Sequence, residues 1–262
     1  MYIITFLTQK GGTAKTTSTA NIGTALTRQG YSVLFVDLDQ QGDLTDILAP
    51  SAPDQGTMLD ALQGRADLEN VIVPTPYGDI VRPDPELNEY IPEPQELAQV
   101  LRQVAGKYDY IVIDNPPQLT AWTAASVCAA DYIVIPTIAD TFGIKAARKM
   151  LNTVKTVNAE TGHTGRIAGV LITLYDGRTV LARQARTHLQ EIARQAGTET
   201  FSTPIRQYTA MKECIAAGTD LYTYDPQSNA AADYRAVTAE LLERIHMPDK
   251  RSAPARKGKK RP

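Results

Sequence analysis

The sequence predicts an α/β fold, a mostly parallel twisted sheet with helices on both faces. Three observations carry that prediction. The chain opens with an apolar, β-branched and aromatic run from Tyr2, then a glycine pair, then a helical pattern beginning with Lys15-Thr16-Thr17. Further short apolar runs alternate with stretches whose apolar residues recur at three- and four-residue spacing. Two of the runs end in aspartate, at Asp37 and Asp114, and parallel sheets gather their ligands at such C-terminal strand ends.

The first turn is the most informative. Gly11-Gly12-Thr13-Ala14 lies between a strand and a helix, so backbone N–H groups of the turn and of the helix N-terminus face one concavity that favours a polyanion. Lys15 is placed to reach the β- and γ-phosphates of a nucleotide, and the Thr16 hydroxyl to ligate Mg²⁺. The eight-residue pattern G-x-x-x-x-G-K-[ST] is not met, because Gln9 and Ala14 stand at its glycine positions. The stretch fits instead the deviant form K-G-G-x-x-K-[ST], with a second lysine, Lys10, opening the loop.

The remaining elements follow in order. A helix is expected over Thr16–Gln29, with Ile22, Ala25 and Leu26 inward and Gly30 closing it. A strand over Ser32–Val36 leads into Asp37-Leu38-Asp39-Gln40-Gln41-Gly42-Asp43-Leu44-Thr45. Between residues 50 and 95 eight prolines break the pattern, and only surface connections are read there, with a small helix near Met58–Leu62 and a short strand near Asp79–Val81. A helix over Gln95–Ala105 precedes the apolar strand that ends in Asp114, a Walker B form with its carboxylate near the metal. Then come a small-residue helix over Thr120–Ala129 and a strand over Tyr132–Pro136. The next helix, Phe142–Asn158, has a stripe of Ala147, Met150, Leu151, Val154 and Val157, with Lys145, Arg148, Lys149 and Lys155 away from it. After a strand over Ile167–Leu174, a helix over Thr179–Ala196 puts Leu181, Leu189, Ile192 and Ala196 on one side and Arg183, Arg186 and Arg194 opposite. A last helix over Asn229–Arg244 carries Ala230, Tyr234, Val237 and Leu241 inward.

Composition narrows the function classes. The 262 residues suffice for one sizeable core, expected over 1–247. Cys128 and Cys214 stand far apart without a Cys-x-x-Cys pair, which predicts a reducing cytoplasm and no zinc or disulfide framework. No signal-peptide pattern or membrane-length apolar run is read. The net charge of −2 hides an asymmetry: residues 250–262 carry seven basic side chains and no acid. A basic tail over 248–262, poor in apolar residues, is expected to be disordered.

The deviant loop, the Asp39-containing acidic motif and the strand ending Asp114-Asn115-Pro116-Pro117 together resemble the ParA/MinD superfamily of ATPases, and ParA/Soj-type partitioning ATPases in particular. The resemblance spans about residues 2–246. It implies a P-loop fold, ATP and Mg²⁺ as cofactors, and slow hydrolysis. It implies that Gly11, Gly12, Thr13, Ala14, Lys15, Thr16 and Thr17 hold the phosphates, with Thr16, Asp39 and Asp114 about the metal. Lys10 would cross an ATP-dependent homodimer to the partner's phosphates, and Asp39 would position the attacking water. Asp37 would orient the loop, and Pro204 and Ile205 would pack near adenine. Departures are Gln40 and Asp43 in the acidic motif, Asn115 after Asp114, and Ala14 for the usual Gly. The last is expected to tighten the loop.

For the family a DNA-partitioning ATPase would bind non-specific double-stranded DNA, be reset by a ParB-like centromere-binding protein, and associate with the nucleoid from the cytoplasm. Arg183, Arg186 and Arg194 with the tail are the cations read as DNA contacts. A MinD-like membrane-cycling ATPase is the alternative, but the tail lacks the bulky apolar residues an interfacial helix needs. An electron-transfer ATPase of the nitrogenase iron-protein type would need paired cluster-binding cysteines, and Cys128 and Cys214 are read as core thiols.

Overall fold

Seven short apolar runs pair into one sheet because each, buried on both faces, can satisfy its backbone only through neighbouring strands. The computed structural model describes residues 1–51, 55–208, 213, 214, 217 and 219–246. The expected basic tail therefore lies outside the described residues. The strands are β1 (Tyr2–Phe6), β2 (Val33–Asp37), β3 (Ile72–Val73), β4 (Asp79–Val81), β5 (Tyr110–Asp114), β6 (Tyr132–Ile138) and β7 (Arg166–Thr173). Their spatial order is β3-β4-β2-β5-β1-β6-β7. All neighbours are parallel except β3 with β4.

Side chains alternate between two cores. Ile111 and Ile113 of β5 face one side with Leu34, Val36 and Ile133, while Tyr110 and Val112 face the other with Phe35 and Val134. The first core is covered by α3 (Met58–Leu62), α4 (Glu96–Leu101), α5 (Ala121–Ala129), α6 (Thr141–Thr161) and α7 (Val180–Gln195). The second is covered by α1 (Lys15–Arg28), α2 (Asp43–Leu48), α8 (Leu221–Tyr224) and α9 (Asn229–His246). No helix among the described residues is long and apolar enough to cross a membrane.

Three expectations need correction. Residues 55–95 are more than surface connections: Met58, Leu68, Val71, Ile80 and Leu87 are fully buried, and this stretch supplies a helix and two strands. Enough apolar residues sit between the prolines to extend the sheet beyond β2. Leu181 does not share the buried stripe of α7. It is 77% exposed, and Ala182 and Ala185 are buried beside Leu189 and Ile192. It lies in the first turn of α7, at the margin of a stripe centred near Leu189. The helix expected over Gln95–Ala105 is α-helical only to Leu101 and tightens to a 3₁₀ turn over Arg102–Val104.

The start of α6 is fixed by close packing. Asp140 caps it by accepting from the Gly143 N–H. A Cβ at Gly143 would lie 1.9 Å from the Ile138 carbonyl oxygen, a backbone atom that cannot rotate away. Gly143→Ala is therefore expected to lower stability by about 2–3 kcal/mol, the order found for overpacked cores. Chemical denaturation checks this, and an unchanged midpoint would mean that α6 can slide off the end of β6.

Candidate functional site

The loop between β1 and α1 lies at the C-terminal edge of the sheet, where Asp114 ends the central strand. Phe6 of β1 and Asp37 of β2 are the register partners of Asp114 on either side. Its carboxylate is fully buried, where an unpartnered charge is costly. Lys15 supplies the ion pair, with Nζ 2.7 Å from Oδ1. The Thr16 hydroxyl donates to Oδ2 at 2.7 Å and the Thr19 hydroxyl to Oδ1 at 3.0 Å. The first turn of α1 is thereby bound to the middle of the sheet.

The loop's own backbone is strained. Ala14 has φ +52°, in the left-handed region that favours glycine, and Gly12 has φ +71°. Leu174, at φ +50°, is the other non-glycine residue with such a backbone among the described residues. The two are linked: the Thr173 hydroxyl donates to the Thr13 carbonyl at 2.8 Å, and each strained residue follows one partner of that bond. The Thr13 hydroxyl is buried and has no hydrogen-bond partner among the described residues. An orphaned donor in the loop, with the Thr16 hydroxyl beside a carboxylate, suits a phosphate held with magnesium. Lys10, Gly12, Thr13, Lys15, Thr16 and Asp39 line a hollow of about 230 Å³ here.

The acidic motif closes a second side. Asp37 is buried and accepts from the Asp39 N–H at 3.1 Å and from the Thr45 N–H and hydroxyl at 3.0 and 2.9 Å. Burial, reinforced by the Asp114 charge, pushes its carboxyl up to about 7 against those donors. Asp37 thus fixes the turn that presents Asp39. Burial also raises Asp39, opposed by the Gln41 N–H and the Lys15 charge. A carboxyl held above its ordinary range beside a phosphate loop is suited to holding a water.

Lys10 is held differently from Lys15. Its Nζ lies 3.0 Å from Asp140 Oδ2 and 5.7 Å from the centre of the Phe142 ring, on the outer rim of the hollow. Asp140 is penalised by burial, but the Gly143 N–H and the Lys10 ammonium outweigh this and hold its carboxyl below the usual range. The sequence reading missed Asp140. Its signal was an aspartate just before a helical pattern, which marks an N-cap. Asn115 was expected to be a mild departure, and its amide is fully engaged. It donates to the Thr5 hydroxyl at 2.7 Å and the Phe6 carbonyl at 3.0 Å, and accepts from the Ser126 hydroxyl.

The residues read as lying near adenine part company. Ile205 is buried in the second core, while Pro204 lines an open cleft of about 1220 Å³ with Tyr175, Asp176, Arg178, Arg206 and Asp233. That cleft adjoins the loop through Thr173, two residues before Tyr175. Arg206 is clamped by Asp233 through Nε at 2.9 Å and Nη2 at 2.7 Å. The three arginines of α7 are also unlike. Arg183 donates to the Gly177 and Arg178 carbonyls, and Arg186 donates to the Ser202 carbonyl and covers the Tyr175 ring. Arg194 lies about 12 Å beyond Arg186 along the axis at 1.5 Å per residue.

Ala14 generates a direct test. A left-handed L-residue costs about 1–2 kcal/mol, and glycine returns part of that by loosening the unfolded chain, about 0.4–1 kcal/mol. Ala14→Gly is expected to raise the stability of the nucleotide-free protein by roughly 1 kcal/mol. A lower denaturation midpoint would show that the loop accommodates the Ala14 methyl without strain.

Comparisons with known proteins give the family. A family model described as an AAA domain matches residues 1–164. The chain is 32% identical over 246 residues to the chromosome-partitioning ATPase Soj of Thermus thermophilus, covering 92% of this chain and 96% of that one. It is also 32% identical over 249 residues to the sporulation initiation inhibitor protein Soj of Bacillus subtilis, covering 91% and 97%. Among solved structures, cobyrinic acid a,c-diamide synthase from Mycobacterium smegmatis, with bound ADP and magnesium, superposes with a TM-score of 0.78. It is 28% identical, over 94% of this chain and 95% of that one. The chain belongs to the ParA/Soj-type ATPases of the ParA/MinD superfamily.

Proposed function

We propose that this ATPase hydrolyses ATP slowly on its own and uses ATP to close a homodimer that binds double-stranded DNA without sequence preference. A ParB-like centromere-binding protein then resets it, so that DNA residence reports nucleotide state during partitioning of a replicon at the nucleoid. The observation that carries this reading is the division of labour between two lysines on one loop, Lys15 turned inward on Asp114 and Lys10 on the rim.

In this reading Gly11 to Thr17 cradle the triphosphate, and Lys15 exchanges Asp114 for the β- and γ-oxygens. Thr16, with Asp114 and Asp39 beside it, would hold magnesium. Bound there, magnesium would supply positive charge against the phosphate oxygens. Asp39 holds the attacking water in line. Lys10 leaves Asp140 and reaches the partner's phosphates, where a cation supplied in trans stabilises the transferring group. Pro204 packs at the adenine. Arg183, Arg186 and Arg194 belong to the cationic side that faces DNA, and closing two subunits doubles the phosphate contacts.

Lys15→Ala is expected to abolish ATP binding in calorimetry, and unchanged affinity would remove the loop assignment. Asp39→Ala is expected to retain ATP-dependent dimers in sedimentation while losing turnover. Retained hydrolysis would move the water-holding role to another residue.

Lys10 itself generates a third test. Asp140→Asn keeps the helix cap but removes the charge holding Lys10. The variant is expected to dimerise at a lower ATP concentration than wild type. Unchanged or weaker dimerisation would mean that the Lys10–Asp140 pair does not oppose closure.

A further inference from the structure

Cations on this surface differ in whether a carboxylate holds them. Arg28, Arg65, Lys107, Arg178, Arg206 and Arg244 are each neutralised by a carboxylate within ion-pair distance. On α6, Lys145, Arg148, Lys149 and Lys155 are exposed, and among the described residues none has a carboxylate partner. At about 100° per residue the four form a stripe roughly 120° wide, facing away from Ala147, Met150, Leu151, Val154 and Val157, which are buried. The stripe runs about 15 Å along the axis. Its only acidic neighbours along the helix are Asp140, already paired with Lys10, and Glu160 in the last turn.

We infer that this stripe of α6, rather than Arg183 and Arg186 of α7, is the principal docking surface for the phosphate backbone of duplex DNA. The inference deepens the DNA-binding reading given above and rests on it. Unpaired cations lose no intramolecular ion pair on binding, so the release of counterions from DNA appears in full as affinity. Arg183 and Arg186 would first have to give up the carbonyls and the Tyr175 ring they hold. A stripe of about 15 Å exceeds the roughly 12 Å width of the major groove, so its ends reach phosphates on both rims. The outward face from Lys145 to Thr156 carries no large apolar side chain, which fits a polyanion better than a bilayer interface.

The stripe is also tied to the nucleotide loop. Lys10 holds Asp140 at the start of α6, and the Gln9 amide reaches the Thr153 hydroxyl two-thirds of the way along the helix, at 3.5 Å. A rearrangement of the loop is therefore felt by the helix that carries the cations.

The test compares full-length wild type, Arg148→Ala/Lys149→Ala and Arg183→Ala/Arg186→Ala for binding to a duplex across a salt series. A slowly hydrolysed ATP analogue is present throughout, and ATP binding and the thermal midpoint serve as controls. Alanine is the best helix former, and neither α6 side chain holds a carboxylate partner, so the α6 variant should fold and bind ATP as wild type does. Its affinity is expected to fall at least tenfold at low salt. Its salt slope should be smaller by about 3.6 for the closed dimer, because two phosphates per subunit are no longer neutralised and each accounts for about 0.9. The α7 variant should weaken clearly less, and Arg148→Lys/Lys149→Arg should restore binding. Wild type that never retains DNA would overturn the DNA reading and this surface together. Wild-type DNA binding that the α6 variant keeps would overturn the surface alone. Loss of binding to anionic phosphatidylserine vesicles, with DNA binding intact, would overturn it in favour of a membrane.

Discussion

The buried Asp114 carboxylate is the constraint around which the rest of the molecule is arranged. It ends the strand at the middle of the sheet, beneath the phosphate loop and beside Asp37. A lone charge in that position would cost several kcal/mol. The Lys15 ammonium and the hydroxyls of Thr16 and Thr19 compensate it, and all three belong to the first turns of α1. One charge therefore sets where α1 begins, which way the loop faces, and how close Asp37 can lie while keeping its own three donors. In the proposed function the same groups form the phosphate site, so the interaction that orders the loop in the free protein is the one a nucleotide would displace.

The two lysines of the loop differ in energetic standing. Lys15 is 6% exposed against a fully buried partner, so removing either partner strands a buried charge. Lys10 and Asp140 are 30% and 42% exposed, and ion pairs of that kind contribute about 1 kcal/mol or less. Lys10 can thus change partners at little cost, whereas Lys15 needs a polyanion to draw it away. Strain is placed beside these groups. Ala14 and Leu174 take left-handed backbone, each just after one partner of the Thr173–Thr13 bond.

Ala14 is also where a local rule and the fold disagree. The position asks for glycine, and the sequence supplies a methyl group. Asn115 is the opposite case. It departs from the family pattern, yet the fold has built a matched set of partners around it in Thr5, Phe6 and Ser126. A departure from a motif is costly only where the surroundings cannot reorganise to meet it, and a backbone dihedral is harder to meet than a hydrogen bond.

The sequence by itself determined the alternation of strands and helices, the loop, both acidic strand ends and the buried stripe of α6. These are local: each follows from periodicity, from turn chemistry, or from residues within one motif. Tertiary structure decided what depends on contacts between distant segments. It drew residues 55–95 into the sheet, because apolar side chains between prolines show no period of their own until β2 offers them an edge. It left Leu181 outside and buried Ala182, since Leu181 stands at the margin of a stripe centred near Leu189. It also decided which cations are available. Periodicity placed Arg183 and Arg186 on one face, but only the fold brought the Gly177, Arg178 and Ser202 carbonyls to them while leaving Lys145, Arg148, Lys149 and Lys155 without carboxylate partners among the described residues. Charge is written in the sequence, but its compensation depends on distance, and distance is a property of the fold.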